Sequence, residues 1–301
     1  MIVLVDSSIY IFRAWQTIPL SVRNRFDAPD NAVQGLAETL CRIVEQQYPD
    51  FMVCAFDECY RQGVRNRLYP PYKADRPAAP EDLSPQFARS KQLAKAMGIA
   101  TFGSDQVEAD DIIGQFALLA QSRQVPVTIV SGDKDLVQFL TPHDRYWDLG
   151  RQAMASYDDV CKRFNIRPDQ IADWLALSGD KSDNIPGVPG VGASTAARLL
   201  RKWENLDTLF ANLGEVAMMR FRGATRVSRL IFEHKQSVLL ARSLTGLIRD
   251  ERLPESLSEL RWNVPEPSQI HQSLYDLGFP EALCESLTKR IERARKRAAD
   301  G

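Results

Sequence analysis

The stretch Ile2-Val-Leu-Val-Asp6 decides the fold, because an apolar run of strand character ends there on a carboxylate. The same arrangement recurs twice. Phe51–Phe56 runs into Asp57, and Val127–Val130 is followed three residues later by Asp133. Helical spacing of apolar residues separates these runs, so the first half of the chain is predicted to be an α/β domain with a mostly parallel sheet.

The carboxyl ends of parallel strands meet along one edge of a sheet, and ligands bind there. Nine carboxylates follow this pattern or lie in turns near it: Asp6, Asp57, Glu108, Asp110, Asp111, Asp133, Asp135, Asp180 and Asp183. Hard oxygen ligands of this kind predict two Mg²⁺ ions, with Mn²⁺ as a substitute. Such a pair hydrolyses phosphodiesters without a protein nucleophile. For residues 108–111 alone, a favourable interaction with the helix dipole is an alternative.

Bulk composition is that of an ordinary globular protein, with 301 residues, 44% hydrophobic and 26% charged. No apolar run is long enough to cross a membrane, and no secretory signal precedes Ile2. The five cysteines are expected to be free thiols in a reducing compartment. We therefore expect a cytoplasmic, nucleoid-associated protein.

Net charge is −1, which by itself argues against a nucleic-acid binder. If metals neutralise the nine clustered carboxylates, however, the remaining formal charge becomes +8. The two opposite charge distributions nearly cancel in the total, so the overall charge does not exclude DNA.

The chain divides into two predicted regions. Residues 1–156 are expected to form the α/β core, with a long irregular loop at about 61–85. Residues 157–301 carry mainly helical patterns: Gln170–Ser178, Ala193–Lys202, Val227–Leu244 and Ala282–Arg297. A helix–hairpin–helix is expected at about 179–202.

The turn Gly187-Val-Pro-Gly-Val-Gly192 has the GxxGxG form of a helix–hairpin–helix, which contacts the duplex backbone without reading bases. Gly187, Gly190, Gly192 and Arg198 are therefore expected to contact DNA, and the carbonyls of Val188 and Val191 to bind K⁺. A plain helix connection is the alternative, but Asp180 and Asp183 precede the turn directly.

The loop at 61–85 combines cations with aromatic residues, as single-strand channels do. It begins four residues after Asp57, so Lys73 and Arg76 are expected to supply positive charge to the scissile phosphate. A solvated flexible loop is the alternative. The basic run at 289–297 is expected either to contact the DNA backbone or to be a solvated helix end.

Four stretches together resemble the bacterial 5′-nuclease family. They are Leu68-Tyr-Pro-Pro-Tyr-Lys-Ala-Asp-Arg76, Glu108-Ala-Asp-Asp111, Ser131-Gly-Asp-Lys-Asp-Leu-Val-Gln138 and the stretch from Gly179 to Gly192. That family includes the 5′→3′ exonuclease domain of DNA polymerase I, the phage 5′-nucleases and the flap endonucleases. The resemblance runs from Asp6 to about Leu200 and implies a PIN-like core with a helical arch.

The resemblance also implies roles for individual residues. Asp6, Asp57, Glu108, Asp110, Asp111 and Asp133 would serve the first metal, and Asp135, Asp180 and Asp183 the second. Tyr72, Lys73 and Arg76 would lie in the arch that admits a single-stranded 5′ end, with Arg67 contacting DNA nearby. Arg13 would lie near the cleaved strand.

The implied activity is structure-specific cleavage of DNA with a 5′ flap, nick or overhang, in replication or repair. We expect a stand-alone monomer that works beside a separate DNA polymerase or ligase. Ser7 replaces a usual glycine, and Ser194 stands in a segment where the family tends to have lysine. A non-catalytic binder of branched DNA and an RNA-processing nuclease with the same acidic core are the alternatives.

Overall fold

The computed structural model describes residues 1–300, with side chains through residue 297. Its sheet has the order β3-β2-β1-β4-β5-β6. All neighbouring pairs are parallel except β5 with β6. The strands are β1 (Ile2–Asp6), β2 (Phe51–Asp57), β3 (Ala100–Ser104), β4 (Val127–Val130), β5 (Arg145–Asp148) and β6 (Ala153–Ser156). The predicted α/β class with a mostly parallel sheet is confirmed, and β3, β5 and β6 are additions to it.

Helices cover both faces of the sheet and form the second half of the chain. They are α1 (Ser7–Thr17), α2 (Asn31–Gln47), α3 (Val64–Leu68), α4 (Leu83–Ala96), α5 (Ala109–Ser122), α6 (Tyr157–Phe164), α7 (Ile171–Ser178), α8 (Ala193–Trp203), α9 (Leu206–Ala211), α10 (Leu213–Ala217), α11 (Ala224–Glu233), α12 (Lys235–Thr245), α13 (Pro267–Asp276) and α14 (Glu281–Asp300). Three 3₁₀ helices lie at Lys134–Phe139, Pro168–Gln170 and Leu257–Leu260.

Alternation along β1 builds two hydrophobic layers. Ile2 and Leu4 belong to a core shared with α5 and the helical half, whereas Val3 and Val5 belong to a core shared with α1, α2 and α4. All four side chains are completely buried. A strand covered on both faces is typical of a parallel sheet, and it explains the unbroken apolar run in the sequence.

The predicted helix over Val227–Leu244 is wrong in one respect, since the chain forms two helices separated at His234. The backbone there leaves the helical region, with φ −99° and ψ 15°. This change of direction allows Ile231 of α11 and Val238 of α12 to enter the same core.

The C-terminal helices return to the first domain. The backbone N–H of Trp262 donates to Asp50 O at 3.0 Å, and its indole N–H donates to Met97 O at 3.0 Å. Apolar residues of α13 and α14 then join the core beneath α2 and α4. The boundary between the two regions at residues 156 and 157 stays a prediction. The structure shows in addition that α13 and α14 pack on the α/β core.

The basic C-terminal run lies partly against α2. Arg290 of α14 is 22% exposed and pairs with Glu38 at 2.5 Å and Glu45 at 2.7 Å. Arg290 therefore serves packing between helices. Within the described residues, no helix combines the length and the apolar character needed to span a membrane.

Candidate metal centre and nucleic-acid interface

The ends of β1 and β4 are joined at the carboxyl edge of the sheet by one serine. Ser131 Oγ donates to Asp6 Oδ2 at 2.8 Å and accepts the backbone N–H of Asp133 at 3.0 Å. Asp6 also caps α1 by accepting the N–H of Ile9 at 3.3 Å. Ser131 therefore links the carboxylate of Asp6, at the end of β1, to the backbone of the segment that carries Asp133.

The end of β2 contacts the start of α5 in a similar way. Asp57 Oδ1 accepts the backbone N–H of Ala109 at 2.7 Å, and the backbone N–H of Asp57 donates to Ser8 Oγ at 2.9 Å. Glu108 is the N-cap of α5, and Asp110 lies in its first turn. The helix dipole favours acids at this position, but three other segments bring further acids to the same place.

Burial and mutual repulsion both disfavour the charged forms of these acids. Burial, followed by the charge of Asp57, raises the pKa of Asp6 to about 7. Burial, followed by the charges of Asp133 and Asp6, raises the pKa of Asp110 well above its usual range. Burial also raises the pKa of Asp57, and the charge of Glu108 adds to that effect. Each charge destabilises its neighbours, as expected for a site that requires cations.

A second acidic group follows β4. Asp133 Oδ1 accepts the backbone N–H of Asp135 at 2.9 Å, and Asp135 Oδ1 is buried without a hydrogen-bond partner. Burial, followed by the charge of Asp133, raises the pKa of Asp135 to about 7. The side chain of Lys134 lies 3.2 Å from Asp180 and 3.5 Å from Asp135. The loop that carries Asp180 therefore faces the segment after β4.

The base of the loop at 61–85, hereafter the arch, closes onto both groups. Lys73 Nζ lies 2.8 Å from Glu108 and 3.7 Å from Asp183. The Tyr72 hydroxyl lies 2.9 Å from Glu108 and 3.1 Å from Asp183, and Arg76 pairs with Asp183 at 2.7 Å. The predicted arch residues thus reach the carboxylates. The arch itself holds only one short helix, α3, before α4 begins.

Basic side chains separate the carboxylates as they are placed. In the described residues, no three His, Cys, Asp or Glu side chains stand close enough to hold an ion in this arrangement. Although burial opposes it, the positive charges of Lys73 and Arg65 hold the pKa of Glu108 below its usual value. The structure therefore shows a donor set of the right chemistry, neutralised in part by the arch.

Three of the predicted site residues have side chains that are hydrogen-bonded to partners other than the acidic residues of the site. Asp111 is buried against Arg65. Arg13 Nη2 donates to Gly150 O at 3.0 Å, in the turn between β5 and β6. Arg67 donates to Gln106 Oε1 at 2.6 Å.

The Gly-rich turn packs as its sequence requires. A Cβ at Gly187 would lie 2.3 Å from the Ser178 carbonyl carbon, and Gly190 has φ +79°. The backbone N–H of Val191 donates to Val188 O at 2.9 Å, which closes the turn before α8. Gly192 and Ser194 are exposed at the start of α8, so backbone groups there are accessible.

Sequence reasoning missed a basic segment beside this turn. Residues 216–232 contain several arginines and no acid. Arg198 of α8 lies over the Phe221 ring at 5.3 Å, which joins α8 to this segment. Arg220, Arg222 and Arg226 are exposed. The absence of acids over this whole stretch was the available signal.

The architecture defines the class of this protein: a PIN-like, resolvase-like α/β domain followed by a helical domain of the SAM fold. Residues 1–165 match the model of the 5′-3′ exonuclease N-terminal resolvase-like domain, and residues 166–268 match that of the 5′-3′ exonuclease C-terminal SAM fold. The chain belongs to the 5′-3′ exonuclease family.

Individual relatives agree with this assignment. The chain is 31% identical over 287 residues to DNA polymerase I of Bacillus caldotenax, covering 94% of this chain and 32% of the polymerase. It thus spans about a third of the length of that polymerase. It is 29% identical over 249 residues to a 5′-3′ exonuclease of Buchnera aphidicola, covering 83% of this chain and 86% of that protein.

A solved structure with the same fold is the bacteriophage T5 flap endonuclease, determined as a pseudo-enzyme–product complex with DNA and metal ions. Its TM-score to this chain is 0.65 at 18% identity, covering 98% of this chain and 99% of that one. At this level of identity the likeness establishes the fold.

Proposed function

We propose that this protein hydrolyses phosphodiester bonds at 5′ flaps and 5′ ends of branched or nicked DNA with the help of divalent metal ions. The observation that carries the proposal is the convergence of buried, mutually repelling carboxylates on the base of a basic arch. Family membership supports the reaction class, and the Buchnera relative is named a 5′-3′ exonuclease.

The donor set fits Mg²⁺, for which Mn²⁺ is the usual substitute. Asp135 Oδ1 is a buried oxygen without a hydrogen-bond partner, and the raised pKa values of Asp6 and Asp110 indicate charge that a cation would relieve. Asp6, Asp57, Glu108, Asp110 and Asp133 would hold one ion or its waters, and Asp135, Asp180 and Asp183 the other. Two such ions would supply the activation of a water and the stabilisation of the leaving oxygen.

Lys73 and Arg76 would orient the scissile phosphate. Both side chains contact carboxylates of the site, Lys73 that of Glu108 and Arg76 that of Asp183, and both residues lie on the same short segment of the arch. A phosphate that enters between them would receive hydrogen bonds from two cations while its bridging oxygens face the carboxylates.

Tyr72, which the sequence predicted to contact DNA, is only 2% exposed, so its ring is not available to a nucleobase. Its hydroxyl would instead help to hold Glu108 and Asp183 in place. We place Arg13 at the cleaved strand because it lies on α1, the helix that begins directly after Asp6.

The single strand would pass between the arch and α4. A cavity of about 780 Å³ lies there, with Asp57 and Glu108 at its acidic end. Its walls carry aromatic side chains and ammonium groups, namely those of Phe12, Tyr60, Phe87, Lys91 and Lys95. Stacking and charge attraction of this kind bind single strands without sequence preference.

The duplex would lie across the Gly-rich turn and the basic segment 216–232. The exposed start of α8 offers backbone N–H groups, and the arginines offer phosphate contacts. Arg198, Arg201 or Lys202, all exposed on α8, would compensate for the lysine missing near Ser194. The carbonyls of Val188 and Val191 would hold K⁺ at the turn, where Val188 O still has a lone pair free beside its bond to Val191.

We further propose that the protein acts as a cytoplasmic monomer in replication or repair. Removal of a 5′ flap leaves a nick, which is the substrate of a ligase, and flaps arise from strand displacement by a polymerase. Light scattering should give a mass near 34.0 kDa in the absence of DNA.

Cleavage of end-labelled flap, nicked, single-stranded and RNA-flap substrates, with Mg²⁺ or Mn²⁺ titrated from zero, tests the proposed activity. We expect metal-dependent cut products from the 5′-flap DNA and their loss in Asp133→Asn. Asp144→Asn is the matched control, because Asp144 is a buried carboxylate that lies at the opposite end of β4. Flap binding without turnover in either metal would indicate a non-catalytic binder, and preference for the RNA flap would indicate RNA processing.

A further inference from the structure

Arg65, at the start of the arch, is a buried cation whose guanidinium is hydrogen-bonded to one carboxylate and two backbone carbonyls. It is 7% exposed and lies on α3. Its guanidinium donates to both carboxylate oxygens of Asp111, with the Nη2–Oδ1 distance at 2.8 Å. It also donates to Leu244 O at 2.7 Å and Gly246 O at 2.8 Å. One buried side chain therefore joins the arch, α5 and the end of α12.

Asp111 has no acceptor position left for a metal. It is 1% exposed. Its Oδ1 accepts from Arg65 and from the backbone N–H of Ile248 at 2.9 Å, and its Oδ2 accepts from Arg65 and from the backbone N–H of Glu108 at 3.1 Å. A carboxylate accepts about four hydrogen bonds, so these contacts saturate it.

Its neighbour Asp110 stands in contrast. Asp110 makes no hydrogen bond to another side chain in the described structure, and the acids whose charges act on it are Asp133, Asp6 and Asp57. One turn of helix thus presents one acid without a side-chain hydrogen bond, on which the charges of other acids act, and one whose oxygens are occupied by a cation and by backbone N–H groups.

We propose that Asp111 is a positioning residue and not a metal ligand, and that the Arg65–Asp111 pair sets the position of the arch relative to the acidic residues of α5. This assignment rests on the proposed metal-dependent function. Arg65 lies on the same arch as Tyr72 and Lys73, a short distance before them in the chain, and Asp111 directly follows Asp110. The pair therefore sets the separation between the arch cations and the carboxylates.

The same pair reaches the helical half of the chain. The Thr245 hydroxyl, between the two carbonyls that Arg65 binds, donates to Ala172 O of α7 at 2.9 Å. Arg242 of α12 pairs with Asp173 of α7. Since α7 leads directly into the loop with Asp180 and Asp183, Arg65 anchors the arch to the support of the second acidic group as well.

Counting bound Mn²⁺ separates a positioning role from a ligand role without any cleavage assay. Free Mn²⁺ is measured by electron paramagnetic resonance during titration of wild type, Asp111→Asn, Asp110→Asn and the buried control Asp144→Asn at low temperature. We expect two ions for wild type, Asp111→Asn and Asp144→Asn, and loss of one ion in Asp110→Asn. If Asp111→Asn lost an ion as Asp110→Asn does, the assignment would be wrong while the proposed function stood.

Single-turnover cleavage of a 5′-flap substrate gives the second readout. Asp111→Asn and the milder Arg65→Lys are each expected to lower the rate by about 10- to 100-fold, as loss of an orienting partner commonly does. Because the two residues act as one unit, the double variant should lie within about 3-fold of the slower single variant.

Two results would overturn the assignment. The first is a double variant whose loss of rate equals the product of the losses in the two single variants. The second is an unchanged rate in Arg65→Lys, and this variant tests the assignment even if Asp111→Asn folds poorly. A wild-type protein that binds no Mn²⁺ and cleaves nothing would instead refute the proposed function, and the assignment with it.

Discussion

At the scale of one residue, Asp135 shows that the site contains a buried carboxylate whose charged form is disfavoured. Its Oδ1 atom is buried without a hydrogen-bond partner, although Lys134 Nζ lies 3.5 Å away, and burial followed by the charge of Asp133 raises its pKa to about 7. Such a group costs stability in the absence of a ligand, since a buried acceptor gains no hydrogen bond. The folded chain carries this cost at the positions proposed to bind metal, a common trade-off between stability and function.

Asp110→Asn should therefore stabilise the protein without metal. Removal of one repelling carboxylate is expected to raise the melting temperature in EDTA by roughly 2 °C, which corresponds to about 1 kcal/mol in a chain of this size. The same variant should lose the stabilisation that Mn²⁺ gives the wild type. Thermal unfolding with EDTA and with Mn²⁺ measures both effects. A lower melting temperature in EDTA would contradict the repulsion that the raised pKa of Asp110 indicates.

The pH dependence follows from the same raised pKa values. Asp6 and Asp135 bind a proton in the folded state up to about pH 7 but release it near pH 3.8 when unfolded. Their contribution to stability is therefore fully present below pH 3.8 and is lost as pH rises to about 7. The free energy of unfolding in EDTA should fall between about pH 5.5 and about pH 8, on the order of 2 kcal/mol for each group.

Urea unfolding at those two pH values measures this loss. Asp135→Asn is the control, because it should show a smaller difference between the two pH values than the wild type. Glu108 and Asp180 have lowered pKa values, so both are ionised in the folded and unfolded states throughout this range and contribute no slope. Equal pH dependence of variant and wild type would rule out Asp135 as a source.

At the scale of elements, the arch and the Gly-rich turn differ in how their positions are set. The base of the arch is held by side chains from other segments, among them Glu108 and Asp183. Asn184 Nδ2 also donates a hydrogen bond to Pro71 O at 2.9 Å. The Gly-rich turn is set by its own backbone, since a side chain at Gly187 would collide with Ser178. The turn was therefore predictable from its sequence, and the position of the arch was not.

Removal of the arginines in the basic segment should weaken duplex binding uniformly across sequences. The triple variant Arg220→Ala, Arg222→Ala, Arg226→Ala is expected to reduce the salt dependence of binding by about 0.9 for each phosphate that is no longer neutralised. Fluorescence anisotropy with a labelled flap duplex, from low to high salt, measures the slope. The charge-matched variant Arg123→Ala, Lys162→Ala, Arg163→Ala removes cations elsewhere and should keep the slope. Equal slopes in both variants would remove the segment from the interface.

At the scale of the whole molecule, the chain ties its two halves together through a buried carboxylate. Asp250 accepts from Ser104 Oγ of β3 at 2.6 Å and from Arg252 at 2.7 Å, and its backbone N–H donates to Gln115 Oε1 of α5 at 3.1 Å. The Arg252 hydrogen bond, opposed by burial, holds the pKa of Asp250 well below its usual range. The link therefore joins the segment after α12 to the sheet.

Asp250→Asn should lower the free energy of unfolding by about 2 kcal/mol at neutral pH, because a buried charge-assisted network is broken. The contribution of Asp250 is present above its unfolded pKa of 3.8 and is lost as pH falls towards its folded value. The difference between wild type and variant should therefore shrink below about pH 4. Urea unfolding from neutral pH to about pH 3 checks this, and a constant difference would show that the charge is unimportant.

Much of the fold was predictable from local pattern. The strand Val127–Val130 has the bounds of the apolar run that predicted it, because all four of its residues are buried. The short strands β5 and β6 contain no continuous apolar run. In β5 two aromatic residues stand between Arg145 and Asp148, and β6 lies at the sheet edge and is half-exposed. Their pairing depends on contacts between residues distant in sequence.

The acidic set was also recognisable from the sequence alone, because a strand that ends on a carboxylate places that group at the ligand-binding edge. Sequence by itself determined the residue types, their order and the family. Only the tertiary structure decided which acids face one another and which face a cation. Asp110 and Asp111 are adjacent in sequence, yet a helix turns successive side chains by about 100°. The charges of Asp133 and Asp6 therefore act on Asp110, whereas Asp111 pairs with Arg65.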